Sequence, residues 1–344
     1  MRSAQKYVLP RNTFYLKMPS NNQKLLALAR LARPANLPTA AADILAGVAV
    51  AGIFENLALR ILDGTDNGLL VNPSYKVQFG EDAGILFSNI PIADIFLLVC
   101  ASVFLYAGGV ILNDVFDYRL DAVERPERPI PSGLVSVTSA SIYGFAMLFI
   151  GMLLAFLVNL TAGWVALALA ICIVFYDAVA KKNGFFGPLA MGCCRGLNLL
   201  LGMSVFANPE PLWLASIPIT YIFAITLISR GEVHGDNRNH IIWAGILYAC
   251  VIFAIGAMAL SYTDSILFPL LFLALFAFSI FRPLIKAYKD NTPKHIKGAV
   301  MAGVLSLVIM DAALAVSFSP WWYGLSILLL LPLSMALSKM FAVT

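Results

Sequence analysis

Three aspartates recur at helical spacing directly after an apolar run, within residues 113–121. Asp114, Asp117 and Asp121 stand at i, i+3 and i+7, so their carboxylates and the Asn113 amide are expected on one side of a helix end. Carboxylates placed there repel one another and face the negative end of the helix dipole, so a positive partner has to offset them. The first candidate for that partner is a divalent cation with a phosphate ligand.

A second acidic pair follows a later apolar segment, within residues 229–238. Glu232 and Asp236 repeat the four-residue spacing of Asn113 and Asp117. Magnesium prefers oxygen ligands and usually binds through one or two carboxylates together with substrate phosphates. Each cluster is therefore expected to hold one Mg²⁺, which would stabilise the charge that develops on a departing diphosphate. The predicted metal ligands are Asn113, Asp114, Asp117, Asp121, Glu232 and Asp236.

Basic and polar side chains are expected near the two acidic clusters. Lys181 follows an apolar segment that ends near Tyr176, and Arg195 shares one helix face with Asn198 in the next segment. An arginine within a span costs about 2.5–3.5 kcal/mol on insertion scales, so it is more often functional or paired than idle. We predict that Lys181 and Arg195 bind the diphosphate, with Asn198, Tyr176 and Arg128 as further substrate-binding side chains.

Structural interpretations of the same residues remain open. Asp and Asn commonly cap helix ends or lie in solvated loops, although two clusters at equivalent positions favour a binding role. Arg125 and Arg128 are flanked by prolines, and their alternative role is to fix a loop by pairing with Glu124 or Glu127.

The elements that carry these residues are membrane-spanning helices. Of the 344 residues, 60% are hydrophobic and only 12% are charged, and the mean hydropathy of +0.84 excludes a soluble domain of this size. Apolar stretches of helix length are separated by Gly, Pro or charge instead of alternating with period two, which predicts an all-α bundle. Ten candidate spans are predicted at 36–54, 91–112, 136–158, 162–180, 187–206, 211–229, 240–260, 264–281, 298–318 and 321–338.

Several other features constrain function less. Asp43 and Asp311 lie inside apolar segments and are expected to face the bundle interior. The five cysteines also fall in apolar segments without metal-binding spacing, which predicts a packing role. The net charge of +4 does not indicate a nucleic-acid partner, because the positive residues are concentrated on one membrane face, where they suit contact with the lipid bilayer.

The distribution of Lys and Arg predicts the orientation of the chain. Basic residues are concentrated before the first span and in alternate loops after it, whereas the remaining loops hold only Arg60 and Lys76. The N-terminus is therefore predicted to be cytoplasmic, in a bacterial inner membrane or an organellar membrane, and a targeting peptide is the less favoured interpretation of the tail. The predicted divisions are a basic tail (1–35), a single transmembrane catalytic domain (36–338), an external loop insertion (55–90), and cytoplasmic motif loops (113–135 and 230–239).

These motifs resemble those of the UbiA-type intramembrane prenyltransferase superfamily. Asn113-Asp-x-x-Asp-x-x-x-Asp121 followed by Arg125-Pro-x-Arg-Pro-Ile-Pro-Ser-Gly133 is similar to the first signature of that superfamily. Leu31-Ala-Arg-Pro34 is similar to its opening, and the resemblance runs from about Arg33 to Lys297. It implies a UbiA-like fold of nine to ten helices, and the four-helix separation of the two clusters predicts two pseudo-repeated four-helix halves.

The resemblance also implies a reaction. A UbiA-type enzyme transfers a prenyl group from a polyprenyl diphosphate donor to a hydrophobic acceptor, aromatic or lipid, with Mg²⁺ as cofactor. It implies that Asn113, Asp117, Asp121, Glu232 and Asp236 lie around the metal-bound diphosphate, with Asp117, Asp121 and Asp236 as the catalytic residues.

The chain departs from the superfamily in two respects. Glu232 stands where the second motif usually has aspartate, and ten apolar segments are predicted where nine spans are typical. Tyr176-Asp-Ala-x-Ala-Lys181 together with Cys194-Arg-Gly-Leu-Asn198 looks closest to an EboC-like subgroup. Two alternative functions are a catalytically silent prenyl-lipid-binding relative and a membrane transporter that uses intramembrane acids.

Overall fold

The computed structural model describes residues 21–54, 91–232, 235–263 and 265–341, and all regular structure in these ranges is helical. The predicted all-α bundle is therefore confirmed. In chain order the helices are α1 (Asn21–Leu31), α2 (Leu37–Val50), α3 (Ile92–Phe116), α4 (Tyr118–Glu124), α5 (Val137–Val158), α6 (Leu160–Ala178), α7 (Phe186–Met203), α8 (Ser216–Ser229), α9 (Arg238–Tyr262), α10 (Leu267–Lys289), α11 (Pro293–Leu305), α12 (Leu307–Val316), α13 (Trp321–Leu328) and α14 (Leu330–Met340).

Nine helical segments within the described ranges are long and apolar enough to cross a membrane. Two of them are each divided into two helices by a single residue: α11 and α12 together form Pro293–Val316, and α13 and α14 form Trp321–Met340. The first predicted span differs, because α2 has 14 residues and is about 21 Å long, shorter than a hydrocarbon core of about 30 Å. The tenth predicted segment has the length of a span, whereas the first does not.

Helix α2 lies at the centre of the bundle, where it contacts α3, α7 and α12. Its closest neighbour is α7, because a Cβ added at Gly47 or at Gly202 would clash with the backbone of the opposite helix. Small residues allow membrane helices to approach in this way. The approach fixes Asp43 of α2 opposite Arg195 and Asn198 of α7.

Two hydrophobic clusters fill the bundle on either side of this central pair. One joins α2 and α7 to α3, α5 and α6, and the other joins them to α8 through α13. Because α2 and α7 contribute to both clusters, they hold the two groups of helices together. A pseudo-repeat between two four-helix halves stays a prediction.

Helix α1 packs against the bundle, although its residues were assigned to the predicted tail. Ala27 and Leu31 are buried in a third cluster with Ile111 of α3 and Val135 of the following loop. The packed part of the chain therefore begins before residue 36. The predicted external loop insertion, with Arg60 and Lys76, lies outside the described residues.

Candidate active site

The first acidic motif spans two helices instead of a single helix end. Helix α3 ends at Phe116, and Asp117 occupies the junction before α4 begins at Tyr118. Helical bonding nevertheless continues, since the Asp117 N–H donates to Asn113 O at 3.0 Å and the Asp121 N–H donates to Asp117 O at 2.9 Å. The predicted spacing is therefore preserved through the junction.

Arg128 holds two of the motif aspartates together. Its Nη1 lies 2.6 Å from Asp121 Oδ2 and 3.1 Å from Asp114 Oδ1, and both carboxylate side chains are less than a tenth exposed. Arg33 Nη2 donates to the same oxygen of Asp114 at 2.5 Å. The guanidinium of Arg128 therefore neutralises two motif carboxylates, a contact that neither of its two sequence interpretations included.

Lys181 neutralises the third aspartate of the motif. Its Nζ lies 2.7 Å from Asp117 Oδ1 and 3.9 Å from Asp177 Oδ1. Asn113 Nδ2 donates to Asp177 Oδ1 at 2.7 Å, so Asp177 links the amide of the motif to α6. Sequence reasoning did not assign Asp177 to the site, although its four-residue separation from Lys181 was a usable signal.

A cavity of about 310 Å³ adjoins this ionic cluster. Four of the polar side chains that line it belong to the cluster or to its immediate neighbours: Arg33, Asn113, Tyr176 and Asp177. Its other walls are largely aliphatic, with Val110, Leu169, Ile173, Ile222, Val304 and Leu307. The cavity therefore suits an amphipathic ligand that has an anionic group at one end and a hydrocarbon chain at the other.

Arg195 and Asn198 line the same cavity but are bonded to α2 instead of the aspartate motif. Arg195 Nε lies 2.7 Å from Asp43 Oδ2, and its Nη2 donates to Thr39 O at 2.5 Å. Asn198 Nδ2 donates to Asp43 Oδ2 at 2.8 Å, and Asn198 Oδ1 accepts from the hydroxyl of Ser102 at 2.7 Å. The interior position expected for Asp43 is confirmed, because its side chain is fully buried. A role for Arg195 and Asn198 in diphosphate binding stays a prediction.

The second acidic motif lies apart from the first. Burial raises the pKa of the half-buried Glu232 carboxyl above its ordinary value, and the nearby charges of Lys297 and Arg125 oppose that rise. Arg125 follows α4 and is close enough to Glu232 to act on its charge, and Asp236 is exposed. Among the described residues no three acidic, His or Cys side chains approach closely enough to hold a metal ion. The structure therefore does not bring the predicted ligands of the two clusters together.

The chemistry of the first motif suits a magnesium ion. Asp114, Asp117 and Asp121 offer carboxylate oxygens, which are the hard ligands that Mg²⁺ prefers. The Asn113 amide is held through its nitrogen by Asp177, which leaves its carbonyl oxygen as the group available to a cation. The first motif therefore supplies donor atoms of the chemical type that this metal prefers.

The fold and site define a class of multi-pass membrane proteins, and comparison with known proteins identifies it. One solved structure is described as giving insights into the biosynthesis of digeranylgeranylglyceryl phosphate synthase in membranes. It aligns with a TM-score of 0.60 at 17% identity, and the alignment covers 86% of the present chain and 98% of the solved one. A UbiA homologue from Archaeoglobus fulgidus bound to DMAPP and Mg²⁺ aligns with a TM-score of 0.52 at 14% identity, over 84% and 99%. The chain therefore has the UbiA-type fold of an integral, multi-pass membrane protein.

Residues 83–242 match the UbiA prenyltransferase family. The digeranylgeranylglyceryl phosphate synthase of Saccharolobus solfataricus is 36% identical over 140 residues, which cover 39% of this chain and 50% of the relative. The chain spans about half the length of this relative and less than two thirds of others that it matches. The resemblance to an EboC-like subgroup stays a prediction.

Proposed function

We propose that the protein transfers a prenyl group from a polyprenyl diphosphate to a hydrophobic acceptor, aromatic or lipid, within the membrane, and that the transfer requires Mg²⁺. The observation that carries this proposal is the ionic cluster of the first motif at one end of a cavity with aliphatic walls. The names of the relatives support a prenyl transfer, and the Archaeoglobus homologue is described as bound to DMAPP and Mg²⁺.

The two acidic motifs supply the proposed metal ligands. Asn113, Asp114, Asp117 and Asp121 would hold Mg²⁺ on one side, and Glu232 and Asp236 would contribute from the facing loop. Bound Mg²⁺ stabilises the negative charge that develops as the diphosphate departs. Asp117, Asp121 and Asp236 are the carboxylates on which we expect turnover to depend most.

Basic and polar side chains of the chain bind and orient the donor. Arg128 and Lys181 already contact the motif carboxylates, so they lie within reach of a diphosphate held there. Tyr176 lines the cavity beside Asp177 and offers a hydroxyl to the same group. Arg195 and Asn198 line the same cavity, and we propose that they also bind the diphosphate.

The aliphatic walls hold the prenyl chain and exclude water from the reacting carbon. When the carbon–oxygen bond to the diphosphate breaks, the resulting allylic cation is consumed by any water present, so exclusion of water favours attack by the acceptor. The acceptor shares the membrane-embedded cavity with the donor. Both acidic motifs are proposed to lie on the cytoplasmic side with the N-terminus, because the basic residues are concentrated on that side.

The test compares Asp117, at the junction after α3, with Asp94, in the first turn of the same helix. Protein in nanodiscs is incubated with radiolabelled geranyl diphosphate and membrane extract, with Mg²⁺ or with a chelator, and donor binding and diphosphate release are measured. Asp117→Asn should abolish both, whereas Asp94→Asn, at the opposite end of α3, should leave both unchanged.

Three outcomes of this test differ in meaning. Mg²⁺-dependent release that is lost only in Asp117→Asn supports the proposal. Mg²⁺-dependent binding without release would indicate the catalytically silent relative, and a wild-type protein that neither binds the donor nor releases diphosphate would refute the proposed function.

A further inference from the structure

The second acidic motif contains two consecutive residues in the left-handed region of backbone conformation. Gly235 has a φ of 72° and Asp236 a φ of 50°. Glycine adopts this conformation freely, but a Cβ atom makes it unfavourable for other residues, so it persists where neighbouring contacts impose it. The contacts that hold Asp236 in this conformation therefore decide where its carboxylate lies.

Asn237, the next residue, is bonded to two separate parts of the bundle. It is 4% exposed, and its Nδ2 donates to Ile228 O at 2.8 Å and to Leu227 O at 3.2 Å, in the last turn of α8. Carbonyl groups in the last turn of a helix lack partners within the helix, so this amide caps α8. The Asn237 backbone N–H donates to Asn291 Oδ1 at 2.8 Å, in the loop between α10 and α11. The residue that follows Asp236 is thus fixed from two directions.

Two glycines allow the same loop to lie closely against these partners. The Gly235 N–H donates to Gly231 O at 2.9 Å, which closes the turn before Asp236. A Cβ added at Gly231 would lie 2.5 Å from Asn237 Cβ, and one added at Gly235 would lie 2.8 Å from Asn291 O. A larger side chain at either position would therefore push the loop away from its partners.

The contribution of Asn291 lies in its side-chain oxygen. Its Oδ1 accepts from the Asn237 N–H, whereas its buried Nδ2 has no hydrogen-bond partner in the described part of the chain. The Asp236 side chain is exposed. The two neighbouring amides, and not the carboxylate itself, therefore maintain the conformation of the loop.

We infer that Asn237 and Asn291 are positioning residues for Asp236, because they hold the loop in the conformation that presents this carboxylate as a metal ligand. A ligand that is held in place beforehand does not have to be ordered on binding, so preorganisation increases affinity. The inference rests on the proposed function for the role of Asp236, and on the hydrogen bonds of Asn237 for the conformation of the loop.

The binding test measures the affinity of the full-length protein for Mn²⁺, a paramagnetic substitute for Mg²⁺, by electron paramagnetic resonance at a fixed concentration of inorganic diphosphate. Asn291→Ala should weaken Mn²⁺ binding about two- to tenfold, because one hydrogen bond that holds the loop is lost. Asn239→Ala is the matched control, since this asparagine is exposed on α9, and it should bind Mn²⁺ like the wild type.

A double-mutant cycle separates positioning from a general effect on structure. In an Asp236→Asn background, Asn291→Ala should cause no further loss of Mn²⁺ affinity, because the carboxylate on which it acts is absent. Asparagine tolerates the left-handed conformation, so this background keeps the loop. A general loss of structure would instead weaken binding equally in both backgrounds, and thermal unfolding establishes that each variant is folded during the titration.

A second measurement tests the loop without any metal. Hydrogen exchange of the Asn237 amide should be about two- to tenfold faster in Asn291→Ala than in the wild type, because its acceptor is removed. Asn291→Asp keeps an acceptor oxygen at the same place, so its Asn237 amide should exchange like that of the wild type.

The results that would overturn the inference are specific. Asn291→Ala with unchanged Mn²⁺ affinity or unchanged exchange of the Asn237 amide would do so, as would an equal loss of affinity in both backgrounds. Mg²⁺-dependent donor binding is measured in the same preparations. A wild type that binds neither Mn²⁺ nor the donor, while the exchange difference persists, would show that the proposed function has failed and, with it, the metal-binding role of Asp236.

Discussion

Replacement of Arg128 by methionine tests whether the aspartate cluster requires external positive charge. Arg128 is the cation that lies between Asp114 and Asp121, at 3.1 and 2.6 Å, and these carboxylate side chains are only 8% and 6% exposed. Methionine keeps much of the side-chain volume and removes the guanidinium. The variant should be less stable than the wild type in a chelator, and Mg²⁺ should recover the difference.

The expected magnitude follows from the partners that remain. Removing one partner of a buried ion pair costs about 3–5 kcal/mol, because the other charge stays buried without compensation. Asp114 keeps its contact with Arg33 at 2.5 Å, whereas Asp121 loses its ion pair with Arg128. The loss should therefore lie near the lower limit, at about 3 kcal/mol. A ligand present at a hundred times its dissociation constant stabilises by about 2.7 kcal/mol, so Mg²⁺ at that concentration should bring Arg128→Met close to the stability of the wild type in chelator.

The assay is thermal unfolding of detergent-solubilised protein, followed by intrinsic fluorescence in chelator and in a Mg²⁺ titration. Arg119→Met is the matched control, because Arg119 is bonded to Tyr118 on the surface and to no motif aspartate. The reasoning is refuted when Arg128→Met unfolds no earlier than Arg119→Met in chelator, or when Mg²⁺ stabilises both variants by the same amount.

Two further variants test the packing that shapes the site. Gly202→Ala should destabilise the protein by about 1–3 kcal/mol, because the added Cβ would clash with the backbone of α2. Gly298→Ala is the control, since a Cβ added at that position has no atom within 4 Å and should not change stability. Chemical denaturation of the two variants measures the difference. Ile173→Trp should shift the donor preference toward shorter prenyl diphosphates, because the larger side chain fills part of the cavity. Ile171→Trp should not, because Ile171 is 61% exposed on the same helix and does not line the cavity. A competition assay with donors of different chain length measures the shift, and an equal preference in both variants would contradict it.

The sequence predicted those parts of the molecule that depend on local spacing. Helix-length apolar runs indicated the spans, because every backbone group in a bilayer has to be bonded within its own segment. The motif spacing indicated that Asp114 and Asp121 would stay together, and Arg128 contacts both. The buried positions of Asp43 and Asp311 followed from the cost of exposing a carboxylate to lipid.

The remaining features depend on contacts between distant segments. Arg33 contacts Asp114 across 81 residues, and Arg195 contacts Asp43 across 152, so no local pattern indicates either pair. The sequence suggested diphosphate binding for Arg195, which stays a prediction, but it did not indicate that Asp43 is the partner of this arginine. The short length of α2 was likewise hidden, because its apolar composition continues past Val50 to the end of the predicted span.

The ion pairs of the first motif also predict how metal and diphosphate bind. Arg128 and Lys181 contact the carboxylate oxygens of Asp121 and Asp117 at 2.6 and 2.7 Å, and a magnesium ion would need oxygens of the same groups. A magnesium ion on these carboxylates therefore competes with the two cations and repels them, which is unfavourable unless another anion receives the cations. A diphosphate bound to the metal offers such oxygens, so the two ligands should bind cooperatively.

Isothermal titration of Mg²⁺ in the presence of inorganic diphosphate, corrected for their association in solution, should give a tighter dissociation constant than titration without it. A coupling of about 1–3 kcal/mol, typical of linked sites, corresponds to about 5- to 150-fold. Lys181→Met should reduce the coupling, because one displaced cation no longer contributes, whereas Lys182→Met serves as the adjacent control. An Mg²⁺ affinity that is independent of diphosphate in the wild type would mean that Arg128 and Lys181 stay on the carboxylates and do not bind the substrate.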